Sequence, residues 1–398
     1  PQPLDADTIR NDLLDEDTTM LVYGFGVERC FLWSITSGGI EAFVLPERSR
    51  IEKLGRKVYD VWSRRTSWAT DHAEPFAREL SDRLLKPAAK DLGRRRLVVI
   101  GEGVFSFLPF AALPDPRYDP EDDPVPLIEH HEILRLPSAS VLATLRRSRS
   151  TKTLPTGLVA VLADPVFSLD DPRVQAPGAI SPDNQGSSAG SPPSPLERSA
   201  EDLGITEFER LLHSRTEAAN ILALVPPEKG FLALDFDASR GTVLSGRLRD
   251  YQMIHFATHG LLNTEHAELS GLVLSRVSEQ GVPVNGFLRV HEIYDLDLRA
   301  DLVTLSACKT GLGEDVRGEG LVGLVQAFLY AGARRAVVSL WNVSDHATAE
   351  LMIRLYRGIF EDGLHLASAL REAQLSMLRE EFWSPKDWAG FVVYGDWQ

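Results

Sequence analysis

The chain has 398 residues, 43% apolar and 25% charged, with a formal charge of −15 at pH 7. That size allows two packed units rather than one, and the negative balance argues against the basic face that nucleic acid or an anionic membrane surface requires. No apolar run approaches the roughly 18 residues of a membrane span and no secretory leader pattern opens the chain, so we expect a cytoplasmic location, no direct nucleic-acid partner and no membrane partner.

The opening at Pro1 reads as a processed or excised piece of a longer protein. Residues 1–155 read as an α/β supporting unit. Alternating apolar residues over 19–36, broken by Gly24 and Gly26, predict two paired strands, and 39–46 supplies a third. Helical spacing follows over 47–65 and 72–86, then a strand at 95–103, a proline-rich loop at 105–116 and a closing helix at 137–148. The triplet Arg94, Arg95 and Arg96 reads as a solvated helix end before that strand.

The pattern restarts in residues 156–398. An apolar strand at 157–167 carries Asp164 near its end. The segment 176–204, dense in Pro, Gly, Ser and acidic residues, reads as a flexible loop. Helices and strands then alternate: a helix at 214–226, strands at 230–234 and 251–258 with a helix between, a strand at 269–277 and a helix at 287–296. A strand at 300–307, a helix at 320–332 stopped by Gly332 and a strand at 334–343 complete the series. Near-continuous apolar strands alternating with helices specify an α/β fold, a mostly parallel sheet with helices on both faces.

In such sheets ligands sit at the carboxyl ends of strands. The strand 251–258 runs into His259 and Gly260, and the strand 300–307 runs into Cys308. One strand ends in an acid/base and the other in a thiol. A thiol is mostly protonated at neutral pH, and an imidazole beside it can take the proton and later protonate a leaving amine. Gly260 lacks a side chain, so its N–H and that of Cys308 can approach a substrate carbonyl as an oxyanion hole. A thiol or a histidine at a strand end is, taken alone, more often a packed core residue, and spacing leaves that alternative open. Cys30 and Cys308, distant and outside any CxxC spacing, argue against a disulfide framework or a zinc site; no metal or cofactor is expected. His255 and Cys30 read as packing residues, Trp341 equally as core or as a wall of a specificity pocket, Glu319 as a helix-start carboxylate, and Asp164 as a residue that can face the cleft.

The blocks HFATHG ending at Gly260, LSACKTG around Cys308, GEGLVGLVQAFLYAGA from Gly318 and VVSLWNVSD ending at Asp345 resemble, in that order, the signature blocks of the CHAT family. These are caspase-like domains associated with tetratricopeptide repeats and related to separase, gingipain and caspases. LLDEDTTMLVYGF, LPFAALPD, PSASVL and the terminal WAGFVVYGD are similar to further CHAT segments, so the resemblance covers nearly the whole chain. It implies a caspase-hemoglobinase-like fold and a cysteine endopeptidase with a His/Cys dyad at His259 and Cys308, Gly260 contributing to the oxyanion hole. The 1–155 unit would be the non-catalytic half and 156–398 the catalytic one. Lys309 stands where an acidic residue is more usual.

The resemblance of SLWNVSD to the separase-like segment lining the first specificity pocket places Asp345 where a carboxylate can pair with a basic P1 side chain, Arg more naturally than Lys. Asp345 also precedes an apolar helical stripe and can equally be its N-cap. The implied partners are a protein or peptide substrate and a regulatory repeat, sensor region or activator protein. Arg198, inside the 176–204 segment, is a candidate self-processing site. A catalytically silent CHAT domain serving as an interaction module, or a cysteine hydrolase or transferase of small molecules, are the alternatives.

Overall fold

The computed structural model describes residues 4–26, 28–63, 69–93, 96–119, 123–149, 155–175, 194–263, 266–309, 319–380 and 384–398. Their strands are β1 (Thr18–Phe25), β2 (Cys30–Thr36), β3 (Gly39–Leu45), β4 (Arg96–Ile100), β5 (Glu132–Arg135), β6 (Gly157–Pro165), β7 (Gly230–Asp235) and β8 (Tyr251–Leu261). β9 (Gly271–Val273), β10 (Phe287–Arg289), β11 (Leu302–Lys309), β12 (Arg335–Ser339) and β13 (Phe391–Gly395) follow. All belong to one sheet, ordered β10-β9-β8-β11-β12-β13-β5-β4-β1-β2-β3, with β6 lying against β8 and β7 outside β6.

Parallel pairs run through β7-β6-β8-β11-β12 and through β13-β5-β4-β1, whereas β12-β13, β1-β2-β3 and β8-β9-β10 are antiparallel. The last strand of the chain therefore sits mid-sheet. β13 pairs with β5 through Val393↔Leu134 and Tyr394↔Arg135 and so joins the strands of residues 1–155 to those of 156–398. Because β13 is parallel to β5 but antiparallel to β12, the carboxyl ends of β1, β4 and β5 lie at one edge of the sheet and those of β8, β11 and β12 at the opposite edge.

The apolar runs of β6, β8, β12 and β13 are buried almost without interruption, which requires cover on both faces. The helix Asp345–Phe360 packs on β11 and on the helix Ser214–Ala223. It does so through Leu351, Met352, Leu355 and Tyr356, all fully buried, each worth roughly 1.5–3 kcal/mol of apolar transfer for the aliphatic members. The helix Glu319–Ala331 packs on β12 and on the turn Gly103–Ser106; Gly332, at φ 116°, ends it in a conformation that favours glycine. The edge strand β3 is mostly exposed.

The structure departs from the sequence reading in two places. Of the segment 176–204, residues 194–204 are described, and they hold a helix, Pro195–Asp202, with Pro at its first position and a reciprocal capping box between Ser194 and Glu197. Composition marked this stretch as a loop, but the cap and the burial of Leu196 and Ser199 fix it as a helix. Arg198 sits on that helix, exposed, in a conformation that a protease groove for extended chain does not accept. The second departure is a set of elements the reading omitted, β5, β13, the helix Leu366–Arg379, and β10, which occupies the start of the segment read as a helix over 287–296 and leaves it helical only over Val290–Tyr294.

Candidate active site

β8 and β11 run parallel with the register Leu302↔Met253 to Leu305↔Phe256, then Ala307↔His259 and Cys308↔Gly260. Between these segments β8 advances by one residue more than β11, a bulge at Ala257–Thr258. Such an insertion bends the strand and re-aims the side chains beyond it. Ser306 Oγ bonds the Phe256 carbonyl at 3.4 Å, and Thr258 Oγ1 donates to the Val273 carbonyl, so both sides of the bulge are held by hydroxyls. The two strand ends thus place the backbone of Cys308 beside that of Gly260, one residue from His259.

The His259 ring is 2% exposed. It lies between Phe167, at 5.0 Å between ring centres, and Phe208, at 5.8 Å. Its Nε2 is 2.7 Å from the carbonyl oxygen of Glu209. A carbonyl only accepts, so Nε2 carries a proton and donates it to Glu209. This fixes the orientation of the ring, as an orienting carbonyl does for a catalytic imidazole.

Phe208 and Glu209 belong to an irregular stretch, residues 203–213, that leads into the helix Ser214–Ala223. Nothing regular holds it; charge does. Asp164, at the end of β6, is 1% exposed and adopts φ 48°, a left-handed conformation that aspartate tolerates better than most residues. Its carboxylate accepts Arg210 Nε and Nη2 at 2.8 and 2.7 Å and Arg215 Nε at 2.8 Å, and Arg173 Nη1 lies 3.0 Å away. Burial pushes the Asp164 carboxyl up, but the hydrogen bonds of Arg210 and Arg215 and the charge of Arg173 outweigh it and hold the group below the usual carboxylate range. Asp164 therefore does not face a cleft. It anchors the strap whose carbonyl orients His259.

Asp345 is the first residue of its helix, and the N-cap is Ser344, whose Oγ accepts from the Ala347 N–H. The capping alternative thus falls to its neighbour. Asp345 Oδ2 instead accepts the His213 N–H at 2.7 Å, at the other end of the same strap. Burial raises the Asp345 carboxyl above its ordinary pKa, only partly offset by that hydrogen bond. Gly260 stands opposite Leu272 of β9 on one side and Cys308 of β11 on the other, so its N–H points at a paired strand in this state.

A CHAT domain family model matches residues 74–396. The chain belongs to the CHAT domain family. Over 109 residues, 27% of the chain, it is 34% identical to Tetratricopeptide repeat protein 28 of Mus musculus and 33% identical to that of Homo sapiens, and these matches cover 4% of either relative's length. Separase of Saccharomyces cerevisiae, solved in a separase–securin complex, superposes with a TM-score of 0.52 at 12% identity, covering 98% of this chain and 31% of that one. The Arg specific cysteine proteinase gingipain R gives a TM-score of 0.42 at 11% identity over 96% of this chain and 78% of that one. The CHAT domain here has the caspase-like α/β fold of separase.

Within this CHAT domain the buried His255 is structural. Its Nε2 and Nδ1 lie 2.7 and 3.2 Å from Glu217 Oε1 and the Tyr356 hydroxyl, far from any strand end. Trp341 is core, donating to the Lys386 carbonyl with its ring edge-on to Tyr59, and Cys30 is a buried thiol pushed up to about 11. Phe167, Phe208, Glu209 and Arg210 escaped the sequence reading. The contribution of Glu209 is a backbone carbonyl, which no residue type announces. Among the described residues no group of three or more His, Cys, Asp or Glu is placed to hold a metal ion, and no helix is long and apolar enough to cross a membrane.

Proposed function

We propose that this CHAT domain is a cysteine endopeptidase that cleaves a protein or peptide after a basic residue, Arg more readily than Lys. The observation that carries the reading is the strand-end register that sets Cys308 beside Gly260 and next to a histidine whose Nε2 proton is held on the Glu209 carbonyl. His259 Nδ1 takes the thiol proton of Cys308. The thiolate attacks the scissile carbonyl carbon, forming a C–S bond while the carbonyl electron pair moves to oxygen, where the N–H groups of Gly260 and Cys308 receive it. Collapse breaks the C–N bond, and imidazolium returns its proton to the leaving amine. Water, deprotonated by His259, then hydrolyses the thioester.

Asp345 supplies the counter-charge for the P1 side chain. A guanidinium would lower its raised pKa as it binds, so recognition and ionisation are coupled. Access requires movement: the imidazole is 2% exposed, and the strap 208–213 spans from His259 to Asp345. An attached repeat or sensor region, or an activator protein, that shifts this strap and opens the β8 end around Gly260 would turn the enzyme on.

The test is hydrolysis of fluorogenic peptides carrying Arg, Lys, Asp or a neutral residue at P1. Cys308→Ala is expected to abolish cleavage and His259→Ala to lower it by roughly 10²–10⁴. Asp345→Asn should remove the Arg preference while sparing the dyad. Turnover surviving in Cys308→Ala ends the proposal. An absence of turnover with all peptides, together with a Cys308 that alkylates no faster than a free thiol, would assign the domain to a silent interaction role.

A further inference from the structure

One cavity lies away from His259. It has a volume of about 790 Å³ and opens at the carboxyl ends of β1, β4 and β5, lined by Phe25, Val99 and Arg135 from those strands. Arg135 is 3% exposed. Its Nη1 donates to the Phe105 carbonyl at 2.7 Å and its Nη2 to the Leu108 carbonyl, while Nε is buried with no hydrogen-bond partner. No carboxylate meets it among the described residues.

Other well-buried arginines of this chain behave differently. Arg96, Arg146, Arg173, Arg334 and Arg335, with side chains 11–17% exposed, each meet at least one carboxylate. Arg135 holds its positive charge on two carbonyls, the Tyr394 hydroxyl and the face of Phe110, all of them neutral. Burial presses its pKa down, yet guanidinium does not give up its proton in proteins. Stapling the 105–108 turn explains the two carbonyl bonds but not the unbalanced charge, because a buried cation is normally paired.

The cavity wall supplies the remaining features of a ligand site. Arg48 and Arg56 stand with Arg135 against Glu52 and Glu102, leaving one net positive charge in a chain of −15, and Arg48 is already engaged with Glu52 at 2.7 Å. Val104 and Phe107, both buried, give an apolar surface. The volume falls within the roughly 300–1,000 Å³ of small-molecule sites. The far wall is Val322, Gly323 and Gln326 of the helix Glu319–Ala331, the helix that follows the Cys308 strand.

We infer that this cavity binds a small organic oxyanion, its phosphate or carboxylate group directed to Arg135 and its flat apolar body laid on Val104, Phe107 and Phe25. The bound molecule would touch the helix leading away from Cys308, so occupancy can be felt at the catalytic edge. Binding itself does not depend on the peptidase reading.

The experiment is isothermal titration of the whole chain with two anionic probes, AMP for phosphate and indole-3-acetate for carboxylate, and with their neutral counterparts adenosine and tryptophol. One anion at least should bind with Kd below about 1 mM, at least tenfold tighter than its counterpart; which one does so identifies the anionic group. Gly323→Trp is the control for location. A Cβ at Gly323 meets nothing within 4 Å and Gly323 lines the cavity, so an indole there is expected to occupy the cavity, and binding should be lost with the melting temperature retained. Arg135→Gln should lose binding as well, read with circular dichroism to confirm folding. No binding by either anion, equal binding of the neutral molecules, or undiminished binding to Gly323→Trp would each overturn the inference.

Discussion

Two edges of one sheet carry strand-end sites built on opposite electrostatic plans. At the β8/β11 edge, Asp164 gathers Arg173, Arg210 and Arg215, and the strap they anchor covers His259 and meets Asp345. Asp171 and Asp235 complete the set, so the charges there are paired, and His259 is covered. At the β1/β4/β5 edge, the buried Arg135 has carbonyls, the Tyr394 hydroxyl and the Phe110 ring beside it but no carboxylate among the described residues, and it faces an open cavity. A covered, charge-paired site is suited to release by something that moves a strap, and an open, unbalanced one to a molecule that brings the missing charge. The junction strand β13 makes both edges parts of the same rigid sheet.

The contrast is broken most directly by removing each edge's central charge. Asp164→Ala removes the buried carboxylate that three arginines share; Arg173 and Arg215 keep Asp235, so the loss falls at the lower end of the roughly 3–5 kcal/mol of a broken buried pair. Arg135→Met strands no counter-ion. It leaves the Phe105 and Leu108 carbonyls without this donor, about 1–3 kcal/mol each, and offsets that cost by removing a buried charge that has no carboxylate partner among the described residues. Urea denaturation of the two variants should therefore give the larger loss for Asp164→Ala, and for that variant the loss should shrink at acid pH. The sign follows from the depressed Asp164 pKa: its contribution is present above the unfolded value of 3.8 and is lost as pH falls through the lower folded value. Equal losses for both variants would mean that the two edges are not electrostatically distinct.

How legible these edges were in the sequence depends on what holds them. Strand, thiol and imidazole at the β8/β11 edge announced themselves, because near-continuous apolar runs end in His259-Gly260 and Cys308. Cys308 lies in β11, although residues 310–318 after it fall outside the described residues. The Asp164 cluster did not, since its members are spread over residues 164 to 235 and meet only after β6, β7 and the strap converge. β5 and β13 are short, and neither stands out from local periodicity; both acquire strand geometry by pairing with each other in mid-sheet. Arg135 was invisible for the same reason. An arginine in a four-residue strand reads as surface until the opposing strand buries it.

Asp345 gives a smaller effect of opposite sign. Burial raises its carboxyl pKa, so the folded state binds a proton that the unfolded chain releases. Its favourable contribution is present below the unfolded value of 3.8 and is lost as pH rises through the raised folded value, which makes the ionised group a net cost near neutrality. Asp345→Asn keeps an acceptor for the His213 N–H and removes the charge. Its urea midpoint is expected to match or exceed that of the unsubstituted chain at pH 7 and to converge with it below pH 3.8. A marked loss at pH 7 would show that the ionised carboxylate is needed to hold the strap.

The smallest change tests the open edge alone. Gly323 sits inside the helix Glu319–Ala331, where glycine costs roughly 0.5–1 kcal/mol relative to alanine, and the space beyond its Cα is empty. Gly323→Ala should raise stability by about that amount, because the methyl gains helix propensity and meets no neighbour. One methyl removes little of a cavity of about 790 Å³, so anion binding should survive in Gly323→Ala where Gly323→Trp abolishes it. Loss of stability in the alanine variant would mean that this wall closes in solution, and the cavity at Arg135 would then have no room for a ligand.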